Sequence, residues 1–144
     1  MRPFRALLRL LPVRTWTAPL LGRAGERRAA WYYRIRGFRV VERNARVGEG
    51  EIDLILRRRR LWVFAEVKSR QGESSREPWE AVDRAKQLQV MKLADRWLRA
   101  RKTEPLVVRF DVVSLRWNGW RFEMKVFEDA FRPLADPRAP WRWK

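Results

Sequence analysis

Hydrophobic and polar positions follow a helical period in two segments of the chain. From Trp79 to Arg101, apolar residues recur every three or four positions between Ala81 and Leu98, which predicts one long amphipathic helix. Gly22 to Arg36 is rich in good helix formers and is followed by Gly37, a residue typical of a helix C-terminus. The pattern therefore predicts two helices, each with an apolar stripe that must pack against other elements.

Five segments rich in Val, Ile, Phe and Trp predict strands. They are Phe38 to Glu42, Glu51 to Leu56, Leu61 to Lys68, Val107 to Leu115 and Trp120 to Phe127. Asn118-Gly119 between the last two predicts a two-residue hairpin turn. The order α, β, β, β, α, β, β predicts an α/β domain with a mixed sheet of about five strands flanked by helices.

The domain is expected to span residues 22–127, between a basic N-terminal arm of residues 1–21 and a basic C-terminal tail of residues 128–144. Among the aromatic residues, Trp120 is expected in the core. Trp16, near the arginine-bearing N-terminus, either stacks on nucleic-acid bases or anchors the arm by apolar packing.

The composition excludes several kinds of chemistry, because the chain contains no Cys and no His. A disulfide framework, a Cys or His zinc site, a Cys–His nucleophile and a Ser–His–Asp triad all need these residues. A metal ion would have to bind to oxygen ligands, which suits hard cations such as Mg²⁺, Mn²⁺ or Ca²⁺.

The charge of the chain indicates an acidic partner. Its 144 residues carry 34 Lys and Arg against 17 Asp and Glu, a formal net charge of +17. Nucleic acid is the expected partner, and the candidate phosphate-binding residues are Arg57, Arg58, Arg59, Arg60 and Arg70. No apolar stretch approaches the roughly 18 residues that a membrane span needs, so no membrane partner is expected and the cytoplasm is the expected location.

Two acidic residues lie inside strongly apolar strands. A hairpin turn centred between Arg59 and Arg60 would place Asp53 directly across from Glu66. Two like charges in this position are unfavourable, and a divalent cation would offset their repulsion. Lys68 shares a strand face with Glu66 and could orient or deprotonate a water molecule, or stabilise negative charge on a phosphate. These residue types indicate phosphodiester hydrolysis.

Alternatives remain open for each of these residues. Asp53, Glu66 and Lys68 could form a neutralised ion-pair cluster in an edge strand. Glu51 is either a solvated first strand residue or an auxiliary contact to metal or substrate. Gln87, on the second predicted helix, faces either this site or the solvent.

Asp53 followed by Glu66-Val67-Lys68 resembles the PD-(D/E)xK motif of restriction-endonuclease-like nucleases. A wider resemblance, to the bacterial YraN family, is carried by Gly25-Glu26, Glu42-Arg43-Asn44, Gly50 to Ile55, Phe64 to Arg70 and Arg109 to Val113. It covers about residues 22–115. YraN proteins are regarded as predicted endonucleases with a distant similarity to archaeal Holliday junction resolvases.

The resemblance implies a restriction-endonuclease-like α-β-β-β-α-β core and an endonuclease that cuts DNA with Mg²⁺ or Mn²⁺. It implies Asp53, Glu66 and Val67 as metal-binding residues, Lys68 as the catalytic lysine and Glu26 as a further catalytic acid.

Structured or branched DNA is one candidate substrate under this resemblance, and the residues themselves leave duplex, single-stranded, flapped and junction DNA open. Two cuts in a symmetric junction would require a two-fold homodimer. The alternative is a DNA- or RNA-binding module that keeps the nuclease fold without turnover.

Overall fold

Two helices and five strands follow one another in the order predicted from the sequence. The computed structural model describes residues 15–73, 82–103 and 107–133. Its elements are α1 (Ala18–Arg34), β1 (Arg39–Val47), β2 (Gly50–Arg58), β3 (Leu61–Gln71), α2 (Arg84–Ala100), β4 (Val107–Trp117) and β5 (Phe122–Phe131). The α-β-β-β-α-β core and the five-stranded sheet are confirmed.

The sheet is mixed, with the strand order β1-β2-β3-β4-β5. Strands β3 and β4 are parallel and the other neighbours are antiparallel. Helix α2 lies in the crossover between the two parallel strands, as expected for a connection that must return to the same end of the sheet.

The helices cover opposite faces of the sheet. Along β3, Val63 and Ala65 belong to the core cluster that includes Tyr33 of α1, whereas Trp62 and Phe64 pack with residues of α2. Both faces of the middle strand are therefore buried. A charged side chain on β3 consequently needs a partner close by.

Helix α1 begins at Ala18, four residues before the predicted start at Gly22, with a proline in its first turn. Just before it, Trp16 packs edge-on against Trp117 and Phe122 of the β4–β5 hairpin. This contact supports the anchoring alternative for Trp16.

Helix α2 begins at Arg84. The prediction of a helix from Trp79 onward was wrong for Val82 and Asp83, which are described and precede the helix. Asp83, the residue directly before the helix, has an extended backbone conformation. Its side chain accepts a hydrogen bond from the Lys86 backbone amide at 2.8 Å. This N-cap fixes the first turn. Trp79 and Ala81 themselves lie outside the described residues.

The strands are longer than predicted, and one turn differs. Strand β1 extends to Val47, and β3 extends past Lys68 to Gln71. The two-residue turn at Asn118-Gly119 was wrong, because the Asn118 side chain accepts hydrogen bonds from the Trp120 and Arg121 amides and closes a four-residue loop. Trp120 lies at the tip of this loop, 59% exposed, and not in the core.

Within the described residues, neither helix combines the length and apolar character required to cross a membrane. Residues 1–14 and 134–144, which make up most of the predicted arm and tail, lie outside the described part of the chain.

Candidate active site

The register of β2 and β3 brings the two predicted acidic residues together. The ladder pairs Arg58 with Leu61 and ends at Leu54 and Ala65, as a turn centred between Arg59 and Arg60 requires. Asp53 and Glu66 occupy the next position on each strand. There the strands part, and Asp53 Oδ2 accepts the Val67 amide hydrogen bond at 2.8 Å.

Glu66 is the more buried of the two acids, with only 2% of its surface exposed. Its Oε1 atom has no hydrogen-bond partner among the described residues. Burial, followed by the negative charge of Asp53, raises the pKa of Glu66 to about 7. An acid in this environment is stable either as a neutral group or beside a cation.

Asp53 is half-buried, and burial raises its pKa above the ordinary value. The Val67 amide hydrogen bond is the largest opposing influence on this pKa, followed by the charges of Lys86 and Lys68. Asp53 and Glu66 thus share one weakly solvated environment in which two negative charges are costly without a compensating cation.

Lys86 is a site residue that the sequence analysis missed. Its Nζ atom lies 3.6 Å from Glu66 Oε2. In the sequence, Lys86 stood in the interior of a helix predicted to start at Trp79. Recognition of Asp83 as the N-cap would have placed Lys86 in the first turn, where a lysine is unfavourable next to the positive end of the helix dipole.

Lys68 lies two residues beyond Glu66 on the same side of β3 and is partly buried. Its positive charge lowers the pKa of both Asp53 and Glu66, in each case less than Lys86 does. Two lysines, one from β3 and one from α2, therefore face the carboxylate pair.

Glu26 and Glu51 lie within electrostatic reach of Asp53. The Glu26 carboxylate accepts a hydrogen bond from the Asn44 amide group at 3.1 Å. Burial raises the pKa of Glu26 despite this bond, and the charges of Asp53 and Glu51 raise it further. Glu51 itself is exposed. The two residues extend the acidic group outward from the carboxylate pair.

Gln87 does not contact the carboxylates in the described structure. Its side-chain nitrogen donates to the Val82 carbonyl at 3.1 Å, and its oxygen accepts from Arg84 at 3.4 Å. The Gln87 side chain therefore makes its hydrogen bonds to residues at the N-terminal end of α2.

The predicted phosphate-binding arginines separate into two groups. Arg59 and Arg60 form the β2–β3 turn, and the turn lies six residues from Glu66 along β3, or about 20 Å. The flanking guanidinium groups stack on aromatic rings, with Arg57 over Trp62 and Arg58 over Phe38.

Arg70 belongs to the second group. It lies on β3 with the same side-chain orientation as Glu66 and Lys68, two residues beyond the lysine. Arg70 is four residues from Glu66 along β3, and Arg57 is four residues from Asp53 along β2, a separation of about 13 Å in each case.

The carboxylate pair has the donor chemistry for a hydrated divalent cation. In residues 15–73, 82–103 and 107–133, no three or more Asp, Glu, His or Cys side chains are close enough to form a complete metal cage. Mg²⁺, however, is commonly bound by one or two carboxylates and retains several water molecules. Asp53 and the unpartnered oxygen of Glu66 fit that requirement.

Asp111 is a second buried acid, but its environment is different. It accepts hydrogen bonds from the Tyr33 hydroxyl at 2.7 Å, from two nitrogen atoms of Arg109 at 2.8 Å each, and from the Asp129 amide at 3.0 Å. These bonds tie α1 to β4 and β5. Asp111 therefore serves the fold, and each of its carboxylate oxygens accepts two hydrogen bonds.

Comparison with known proteins places this site in a family context. The family described as "Uncharacterised protein family UPF0102" matches residues 25–115, a segment that includes Glu26, Asp53, Glu66 and Lys86. The chain belongs to the UPF0102 family. YraN is a name of the UPF0102 family, so the resemblance seen in the sequence is confirmed at the level of the family.

Three bacterial UPF0102 proteins illustrate the similarity. The chain is 42% identical over 111 residues to a UPF0102 protein of Syntrophotalea carbinolica, which covers 77% of this chain and 90% of that protein. The corresponding values are 39%, 77% and 95% for a UPF0102 protein of Symbiobacterium thermophilum. For one of Clavibacter michiganensis they are 44%, 67% and 82%.

Proposed function

We propose that this UPF0102 protein is a metal-dependent endonuclease that hydrolyses phosphodiester bonds in DNA. The observation that carries the proposal is the adjacent position of Asp53 and Glu66 where β2 and β3 part, with one buried Glu66 oxygen left without a partner among the described residues. A purely structural ion pair in a protein interior normally satisfies its remaining hydrogen bonds, as Asp111 does. The Asp53–Glu66 pair is better suited to a cation.

Each residue has a chemical task in this proposal. Asp53 and Glu66 would hold Mg²⁺ or Mn²⁺, and the Val67 amide keeps the Asp53 carboxylate in position. When bound, such an ion supplies Lewis acidity and lowers the pKa of a coordinated water molecule. Lys68 orients the attacking water or stabilises the negative charge that develops on the phosphate. Glu26 and Glu51 add acidic groups at the rim.

The charge distribution supports a nucleic-acid substrate. The net charge is +17, and Arg70 lies ten residues along β3 from Arg60 of the β2–β3 turn, about 33 Å or about ten base pairs of duplex. Arg70 would bind a DNA phosphate near the carboxylates. Arg59 and Arg60 would bind a phosphate further along the DNA. Branched DNA as substrate and a two-fold homodimer are the finer parts of this proposal.

A cleavage assay with matched variants tests the proposal. Wild type, Asp53→Asn, Lys68→Ala and the control Asp95→Asn are incubated with end-labelled linear, single-stranded, flapped and junction DNA in Mg²⁺, Mn²⁺ or EDTA. Asp95 pairs with Arg99 on α2, so its variant removes the same charge away from the site. We expect metal-dependent cutting by wild type and Asp95→Asn, and a loss of about 10²-fold or more in the two site variants.

Cutting that persists in both site variants would contradict the proposal and indicate a contaminating nuclease. Tight binding of DNA or RNA without any cutting would favour the alternative, a binding module that retains the nuclease fold. Binding in EDTA gives a further criterion. Asp53→Asn is expected to strengthen metal-free DNA binding slightly, because a carboxylate repels phosphate unless a cation lies between them.

A further inference from the structure

Lys86 lies where a cation would neutralise the carboxylate pair. Its ammonium group is 3.6 Å from Glu66 Oε2, and the side chains of Lys86 and Glu66 are 31% and 3% exposed. The lysine therefore extends from a partly solvated position on α2 toward an almost fully buried acid. Its long side chain retains access to the solvent on one side.

The position of Lys86 in the helix is unfavourable on local grounds. It is the third residue of α2, the first turn contains no acidic residue, and the positive end of the helix dipole points toward it. The Asp83 cap binds the Lys86 backbone amide at 2.8 Å and so fixes this residue at the helix start. The compensation for this unfavourable position comes from another element, the Glu66 carboxylate on β3.

A lysine and a divalent cation would compete for this location. Glu66 offers Oε2 to Lys86, while Oε1 has no partner in the described residues, and Asp53 follows directly on the neighbouring strand. A dication bound to both carboxylates would lie within a few ångströms of the ammonium group. At such a distance two positive charges repel strongly, more so in a poorly solvated site.

We infer that Lys86 is the internal counter-ion of the Asp53–Glu66 pair in the metal-free protein, and that a divalent cation displaces its ammonium group on binding. This inference rests on the proposed function only in that a divalent cation occupies the pair. Lys86 is in this sense a positioning residue that sets the affinity for the metal, distinct from the catalytic role proposed for Lys68.

Calorimetric titration with Mn²⁺, without DNA, tests the inference on the full chain. Four proteins are compared at pH 8 and low ionic strength: wild type, Lys86→Met, Lys86→Arg and Lys92→Met. Lys92 is exposed on the same helix, so its variant removes the same charge from the same element. We expect Mn²⁺ to bind Lys86→Met about tenfold more tightly than wild type, and the other two variants to stay close to wild type.

Tighter binding is diagnostic because a merely structural role would not produce it. A variant that only loosened the fold would bind Mn²⁺ more weakly or equally. The melting temperature in EDTA provides a second readout. Lys86→Met alone should lower the melting temperature, and the same substitution should lower it much less in a protein that also carries Glu66→Gln. If Lys86→Met does not fold, Lys86→Gln replaces it in both measurements.

Several outcomes would overturn the inference. Equal or weaker Mn²⁺ binding by Lys86→Met contradicts it, and so does an equal gain in Lys92→Met, which would indicate a general effect of net charge. Tighter Mn²⁺ binding in a protein that cuts no DNA upholds Lys86 as counter-ion and rejects the nuclease. If wild type cuts DNA but Lys86→Met binds Mn²⁺ with unchanged affinity, the nuclease proposal stands and the counter-ion role of Lys86 is rejected. No Mn²⁺ binding by any of the four proteins overturns both.

Discussion

Glu66 and Asp111 are buried carboxylic acids on neighbouring strands, yet their surroundings differ. Asp111 accepts hydrogen bonds from a tyrosine, an arginine and a backbone amide, and it faces α1. Glu66 faces α2, has one lysine at 3.6 Å and keeps one oxygen unpartnered among the described residues. Because burial without full compensation is characteristic of functional groups, Glu66 is the acid to which a cation is expected to bind.

The raised pKa of Glu66 makes the stability of the metal-free protein depend on pH. The ordinary glutamate pKa is 4.5, and in the folded protein it is about 7. Between these values the folded state binds more protons than the unfolded state. The contribution of Glu66 to stability is therefore fully present below pH 4.5 and is lost as the pH rises through 7, by up to about 3 kcal/mol.

Urea unfolding in EDTA between pH 5 and pH 8.5 measures this dependence. Wild type should lose stability across the range, and Glu66→Gln should show a clearly shallower loss, because glutamine does not titrate. An equally steep loss in the variant would assign the pH dependence to other groups. Asp95→Asn, which changes an acid outside the site, should follow wild type.

At the residue scale, the sequence alone predicted that Asp53 and Glu66 lie next to each other. It did not predict the contact between Lys86 and Glu66. The register of a hairpin depends on its own turn, so the position of Arg59 and Arg60 determined which residues lie opposite each other. Lys86 reaches Glu66 only because α2 starts at Asp83 and packs on that face of β3. Tertiary packing of this kind leaves no periodic signal in the sequence.

At the scale of elements, the approach of α1 to the sheet depends on one glycine. An ideal Cβ atom at Gly25 would lie 1.9 Å from the Ser69 hydroxyl oxygen and 3.6 Å from Leu115 Cδ1. Gly22, one turn earlier in the same helix, has no atom within 4 Å of the same construction. Gly25 thus lets α1 pack closely on β3, next to the position of Glu26.

This difference predicts opposite effects for one substitution at two positions of α1. Gly22→Ala should stabilise the protein by about 0.5–1 kcal/mol, since alanine is the better helix former and meets no obstacle. Gly25→Ala should destabilise it by about 1–3 kcal/mol, because the new methyl group forces Ser69 or the helix to move. Urea unfolding of both variants measures these changes in the free energy of unfolding.

A second background checks the cause of the loss at Gly25. In Ser69→Ala the hydroxyl oxygen is absent, so Gly25→Ala should cost less there than in wild type, although Ser69 Cβ is also close, at 3.2 Å. If Gly25→Ala were neutral or stabilising in wild type, close packing of α1 on β3 could not be the reason for this glycine.

The limits of sequence prediction for elements lie at their ends. The order of helices and strands followed from apolar periodicity, and all seven elements exist. The start of α2 and the Asn118 loop did not follow, because each is decided by a short polar side chain that hydrogen-bonds to backbone amides two or three residues ahead. Such bonds compete with the wider pattern and override it locally.

At the scale of the whole molecule, the arginine turn and the acidic site lie apart along the β2–β3 hairpin. The net charge of +17 predicted a polyanionic partner, and the confirmed β2–β3 register gives the distance between the arginine turn and the carboxylates. That distance is about 20 Å, since Arg60 and Glu66 are six residues apart on an extended strand. In the proposed nuclease, the turn would bind phosphate away from the bond that is cut.

The arginine turn should therefore affect DNA binding without affecting the metal site. In Arg59→Gln/Arg60→Gln, the affinity for DNA should fall by a similar factor for all sequences. The slope of log K against log salt concentration should become shallower by about 2, because each lost phosphate contact removes roughly 0.9 from it. Arg99→Gln/Arg132→Gln removes the same charge from two arginines paired with Asp95 and Asp129, and should leave the slope nearly unchanged. Filter binding from 50 to 200 mM salt, with Mn²⁺ titration as a check on the carboxylates, measures both effects. Equal losses in the two double variants would show that the overall field of the protein, not local contact at the turn, attracts DNA.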